Sequence, residues 1–311
     1  MVSVALVDHL DRVMNSALGV DSHTYLFQTG IIGSIVPATL LDDQHRDLLQ
    51  SFLEQDCTAN LFGLGVLERW GVSGLPHAEW WGVFGASNQL KGACYAGEYR
   101  VGAGFGVVVP FGAEDAAHLL GITLAVRGGA RWVIGDRSAS DALWGGLGSS
   151  APRLCTDQVL FEATTVTEGP RLPVRIGRVT DLKWIHAAAS GMVDEDLGLQ
   201  WAGQTAEQFA AGVECSVREG NEILGEVAQR LVYRAKRSSM GEHGAQIGGI
   251  WVDPTLRGRG LGQAGTRAVT AMILEQVPRV TLHVRVDNLD AIRCYEAVGY
   301  HAVRAFRLLV R

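Results

Sequence analysis

The chain has 311 residues, 47% of them hydrophobic, enough to bury a large core and to fill about two domains rather than one. A formal charge of -6 and the lack of any Lys/Arg run remove the basic field a nucleic-acid partner requires. No stretch approaches the ~18 apolar residues of a bilayer span, and Asp8, His9, Asp11 and Arg12 interrupt the start where a secretion signal is apolar. A cytoplasmic protein with neither membrane nor nucleic-acid partner is expected.

Residues 1–30 have no clear period and read as an extension. A helix follows over Leu41–Glu54, with Leu48, Leu49, Phe52 and Leu53 at helical spacing, then a second over Leu61–Trp70. Glycines punctuate strands at Glu79–Ala86, Leu90–Ala96 and Gly104–Pro110. A helix over Ala113–Val126, a strand at Arg131–Ile134, a helix over Ser140–Leu147 and a strand at Gln158–Ala163 complete a first half. Thr164–Pro173 has the composition of a linker.

The order then recurs. Val174–Val179 is a strand, Leu182–Met192 and Thr205–Glu219 are helices, and Glu222–Val227, Arg230–Lys236 and Gln246–Val252 are strands. A helix over Gly260–Gln276, a strand at Val280–Val286, a helix over Asp290–Val298 and a strand at Ala302–Leu309 end the chain. A duplicated α/β unit is expected, with domains over 31–165 and 173–311 behind the 1–30 extension. The five cysteines are an odd, dispersed set without a C-x-x-C pair, so buried thiols and no metal site are expected.

The most specific local signal follows the strand ending at Val252. Pro254 stops that strand, and Arg257-Gly-Arg-Gly-Leu-Gly262 opens an Ala/Val/Met/Leu-rich helix. Glycines there let backbone N–H groups approach a ligand, the helix start adds partial positive charge, and two arginines reinforce it. The pattern points to a phosphate or pyrophosphate cradle. One strand further on, Asn288 through Tyr300 reads as a helix capped by Asp290, with Ala291, Cys294, Tyr295 and Val298 on one face and Gly299 at its end.

Arg257, Gly260 and Gly262 match the R/Q-x-x-G-x-G/A signature of the GNAT superfamily of N-acetyltransferases. Asn288, Ala291, Tyr295 and Gly299 match its N-x-x-A-x-x-x-Y-x-x-x-G-F pattern, with Tyr300 in place of Phe. The chain therefore resembles that family, in a tandem form like bacterial proteins with an uncharacterised domain before a GNAT domain, and more distantly mycothiol synthase. The resemblance implies an α/β fold of two GNAT-like domains, each a mixed, mostly antiparallel central sheet flanked by helices. It implies acetyl-CoA as cofactor, held by Arg257, Gly258, Arg259, Gly260, Leu261 and Gly262 at the pyrophosphate, by Ile250, Trp251 and Val252 along the pantetheine, and by Asn288. It implies direct transfer to a primary amine of a small molecule or peptide, with Tyr295 donating the proton to the thiolate.

The base stays open between Glu226 and Glu242, placed by position, and His283 reads as structural. Asp194 and Glu195, in an acidic stretch expected between two helices, are candidates for the acceptor site or for a solvated face. The first half has Glu114 and Asp115 where the cradle would be, and acids at a helix start repel a pyrophosphate. An alternative function is a sensor that holds acetyl-CoA without turnover.

Overall fold

The computed structural model describes residues 38–97, 104–198 and 206–311; the extension expected over 1–30 lies outside them. The chain forms two compact units.

The first comprises the described residues up to Leu49, Val72–Cys155 and Arg307–Arg311. Its sheet runs β1 (Thr39–Leu40), β2 (Ala78–Phe84), β3 (Leu90–Gly97), β4 (Phe105–Gly112), β5 (Ala130–Asp136), antiparallel except for β4 with β5. The first four helices in chain order are α1 (Arg46–Leu53), α2 (Leu61–Trp70), α3 (Glu114–Val126) and α4 (Arg137–Gly146); α3 and α4 cover this sheet, and Leu120, Leu124 and Leu143 meet Val108 and Val133 in the core. The strands β4 and β5 pair from Phe105↔Ala130 to Val108↔Val133, and β3 and β4 pair without a register shift. The α3 start carries Glu114 and Asp115, as read from the sequence.

The second unit comprises Gln50–Gly71 and Thr156–Phe306. Within its sheet the order is β6 (Leu154–Ala163), β11 (Val280–Arg285), β10 (Gly244–Val252), β9 (Arg230–Gly241), β8 (Glu222–Val227), β7 (Val174–Ile176). All pairings are antiparallel except β10 with β11. The strand β12 (His301–Val310) belongs to this unit through Phe306 and neighbours β6. Helices α5 (Leu182–Leu197), α6 (Ala206–Arg218), α7 (Leu261–Leu274) and α8 (Leu289–Val298) flank the sheet. Tyr233, Ile247, Val269, Leu282 and Val298 form its main core.

Three local readings change. The helix α2 (Leu61–Trp70), which lies in the first half of the sequence, belongs to the second unit, where Glu68 Oε2 accepts the Glu242 N–H at 2.7 Å. The expected linker is fastened down: Thr167 donates Oγ1–H to the Ala297 carbonyl, and Arg267 donates to the Pro170 carbonyl at 3.0 Å. The cysteines are all free, and Cys155 and Cys215 are exposed rather than buried. No described helix is long and apolar enough to cross a membrane.

The helix α7 lies close on β9 because Gly265 presents no side chain there. A Cβ at Gly265 would stand 2.4 Å from the ring of Tyr233, which is fully buried and whose hydroxyl is 3.2 Å from Thr266 Oγ1. In an exposed helix Gly→Ala gains about 1 kcal/mol. Here overpacking reverses the sign, and Gly265→Ala is expected to lower stability by about 1–3 kcal/mol, read as a fall in the denaturant midpoint.

Candidate functional site

A break in the pairing of β10 creates the site. Its register with β9 shifts between Gly248 and Trp251, and Gly249 sits there at φ +59. Residues with a side chain rarely adopt that angle. Arg234, on β9, donates Nη1–H to the Gly249 carbonyl at 3.1 Å and grips Glu222 through Nε and Nη2 at 2.8 and 3.0 Å. The Glu222 and Arg234 side chains are 1% and 4% exposed, and Ser216 Oγ donates to Glu222 at 2.8 Å. The buried pair is thus fully bonded, which its desolvation demands.

On its other edge β10 pairs with β11 only at Ala245↔Val280 and Gln246↔Thr281. Beyond Gln246 the two strands diverge, leaving an open fork with unpaired β10 backbone groups along it.

The fork leads to the glycine loop. Gly258 and Gly260 have φ +74 and +77, and no atom lies within 4 Å of where their side chains would be. Gly260 caps α7 with no side-chain bond, and no acid stands in the first turn. The first N–H groups of α7 have no carbonyl within the helix to receive them, so the helix start is an exposed anion site. Arg259 is exposed and pairs with no described carboxylate.

Arg257 acts otherwise. Its Nε donates to the Val252 carbonyl at 3.1 Å and its Nη2 to both Glu195 oxygens at 2.8 and 3.0 Å. Its side chain shapes the loop and ties it to α5, and the amides and Arg259 are left to meet an anion.

The helix α8 closes the fork. Asn288, rather than Asp290, caps it by accepting the Ala291 N–H at 3.1 Å, while Asp290 pairs with Arg293 at the surface. Gly299, at φ +115, ends it, and its N–H reaches the Tyr295 and Glu296 carbonyls. A Cβ at Gly262 would lie 3.6 Å from Cys294 Sγ and 3.7 Å from Val252 Cγ2, so loop, strand end and α8 converge at one point. Tyr295 is buried one residue from Cys294. Burial raises its hydroxyl well above the usual tyrosine range, Cys294, Tyr300 and Asp196 adding to the effect, so the group is a neutral O–H donor at neutral pH.

The other expected residues disperse. Of the strand residues, Ile250 and Val252 pack against the main core, whereas the Trp251 ring meets Trp184 of α5 edge-on at 5.7 Å. Glu226 is bonded by Arg175 Nε at 2.6 Å, and that arginine also holds Asp181, so its charge is committed. Glu242 occupies the β9–β10 turn, about 30 Å of extended strand from Val252, too far to serve as the base. His283 lies against Phe306, centroids 4.5 Å apart, and burial pushes it down to about 4, leaving a neutral structural ring. Asp194, Glu195 and Asp196 lie in the last turn of α5, not in a loop between helices.

Residues 182–300 match the model of the Acetyltransferase (GNAT) family. This segment is therefore similar to a GNAT domain.

Solved structures extend the likeness in fold alone. A Drosophila protein shares 14% identity at a TM-score of 0.59, over 88% of this chain and 98% of that one. A GNAT-family acetyltransferase from Colwellia psychrerythraea shares 12% at 0.53, over 88% and 99%. A GCN5-related N-acetyltransferase from Sphaerobacter thermophilus shares 16% at 0.53, over 87% and 93%. No curated protein matches the chain.

The third acid of the stretch Asp194–Asp196 is set apart by its surroundings, which the sequence does not show. Asp196 is half-buried, and burial raises its pKa more than nearby Arg285 and Arg257 lower it. Arg285 donates to its backbone carbonyl at 2.7 Å, which holds this helix end beside β11. Acids at a helix C-terminus oppose the dipole, and that local violation was the available signal.

The sign for stability is definite. A carboxyl whose pKa is raised on folding contributes most below its ordinary 3.8 and loses that contribution as pH rises through the raised value. Asp196→Asn is therefore expected to raise Tm at pH 7 more than at pH 4, measured by thermal unfolding at both.

Proposed function

We propose that the chain is an N-acetyltransferase that moves an acetyl group from acetyl-CoA to a primary amine of a small molecule or peptide by direct attack. The convergence at Gly262 carries the reading: an anion-ready helix start, the end of the strand with the open edge and the helix that bears buried Tyr295 meet there. The residues fit coenzyme A. The amides of Gly260, Leu261 and Gly262 with Arg259 suit a pyrophosphate, and the open edge of β10 past Gln246 suits an amide-bearing pantetheine arm. Asn288, whose side-chain oxygen is used in the cap, has its amide group left to donate.

When bound, the cofactor supplies a thioester carbonyl and a thiol leaving group. A backbone N–H near Val252 polarises that oxygen. Tyr295 holds the proton that neutralises the departing sulfur. Asp196, more basic than an ordinary aspartate, takes the proton of the amine directly or through water. Asp194, exposed on the same helix turn, attracts a cationic acceptor, while Glu195 is engaged by Arg257.

Two variants test this with a panel of primary amines, reading free thiol release and coenzyme A affinity by calorimetry. Gly262→Val, whose Cβ fits and whose methyl groups project at the junction, is expected to weaken coenzyme A more than tenfold while remaining folded. Tyr295→Phe is expected to lower kcat roughly 10²-fold with coenzyme affinity retained. Unchanged turnover in Tyr295→Phe removes the acid role. Tight coenzyme binding with no turnover of any amine favours the sensor.

A further inference from the structure

Glu242, unsuited to catalysis, stands in a different cluster. The β9–β10 turn brings it and His243 against Glu54, in the 3-10 turn Glu54–Asp56. One ligand atom from each of Glu54, Glu242 and His243 lies within 4.8 Å of the others. His243 Nε2 is 3.3 Å from Glu54 Oε1 and 3.4 Å from Glu242 Oε1. That nitrogen is covered, yet it makes no hydrogen bond with any described residue.

We propose that Glu54, Glu242 and His243 form a site for a divalent cation of the zinc class. In tetrahedral coordination with bonds of about 2.1 Å, neighbouring ligand atoms stand about 3.4 Å apart. The two measured nitrogen–oxygen separations have that value. The imidazole selects zinc-like ions over magnesium or calcium, which prefer shells made wholly of oxygen.

The outer groups favour the same arrangement. His243 Nδ1 is 3.8 Å from Cys57 Sγ, which itself donates to the Glu54 carbonyl at 3.4 Å. With the ring proton on Nδ1 facing the sulfur, Nε2 is the free ligand nitrogen. Gln50 Nε2 donates to Glu54 Oε1 at 2.8 Å and orients that carboxylate. Three protein ligands leave the fourth position to water, and Glu242, two-thirds exposed, faces the entry side. The ion would staple the 3-10 turn to the hairpin within one unit, remote from the glycine loop. Its role is structural.

The test uses the untagged full-length chain stripped with a chelator. Calorimetry with Zn²⁺ is expected to show one equivalent bound and a rise in Tm, and His243→Ala and Glu242→Gln to weaken binding at least tenfold each. Both replace partly exposed turn residues, and circular dichroism checks that they fold. Co²⁺ is expected to give tetrahedral d–d bands without a thiolate charge-transfer band, and Cys57→Ser to weaken binding by roughly tenfold or less. No saturable one-to-one binding, or binding unchanged in both variants, overturns the site; a thiolate band overturns this ligand set.

Discussion

The fork in the second sheet depends on one buried ion pair. Two charges removed from water are costly, and Glu222 and Arg234 are stable there because each carboxylate oxygen and each guanidinium nitrogen has a partner. One of those partners is the carbonyl of Gly249, at the bulge. Arg234 therefore links the polar interior of β8 and β9 to the point where β10 stops following its neighbour. An apolar pair could fill the same volume, but it would offer no donor to a carbonyl turned out of the ladder. The first unit makes the contrast, since β4 and β5 stay paired over a longer run and no bulge interrupts β3 and β4.

Charge is arranged around the fork in a consistent way. The start of α7 has no acid and is flanked by arginines, whereas the end of α5 has three acids, against the preference of the helix dipole. Arg257 joins the two by bonding Glu195, so the glycine loop is also attached to the helix that carries Asp194 and Asp196. Half-burial keeps Asp196 more basic than a surface carboxylate, and burial keeps Tyr295 protonated. The proposed acid and base are thus held in opposite protonation regimes, as proton transfer in two directions requires.

Much of this was legible in the sequence, and the losses have particular causes. The helix at Leu61–Trp70 and the strand at Glu222–Val227 have the expected bounds, because apolar period and glycine punctuation agree there. The glycine loop and the Tyr295 helix could be read because each requires specific residue types at fixed offsets. The sequence offered no way to tell the carboxylates apart. Glu226, Glu242 and Asp196 differ in their partners, Arg175, His243 and a half-buried helix end, and such pairings arise between distant segments that leave no local pattern. The helix α5 was cut short at Met192 because its acids resemble a solvated loop, although Arg257 and Arg285 are what balance them.

Neither unit is a contiguous stretch of chain. Gln50–Gly71 joins the later unit, and Arg307–Arg311 joins the earlier one. Synthesis on the ribosome therefore releases most of the first unit long before its last residues exist, and these arrive only after the whole second unit has emerged. Contacts of such high sequence separation slow the search for the native state, and they make the maturation of the first unit wait on the completion of the second.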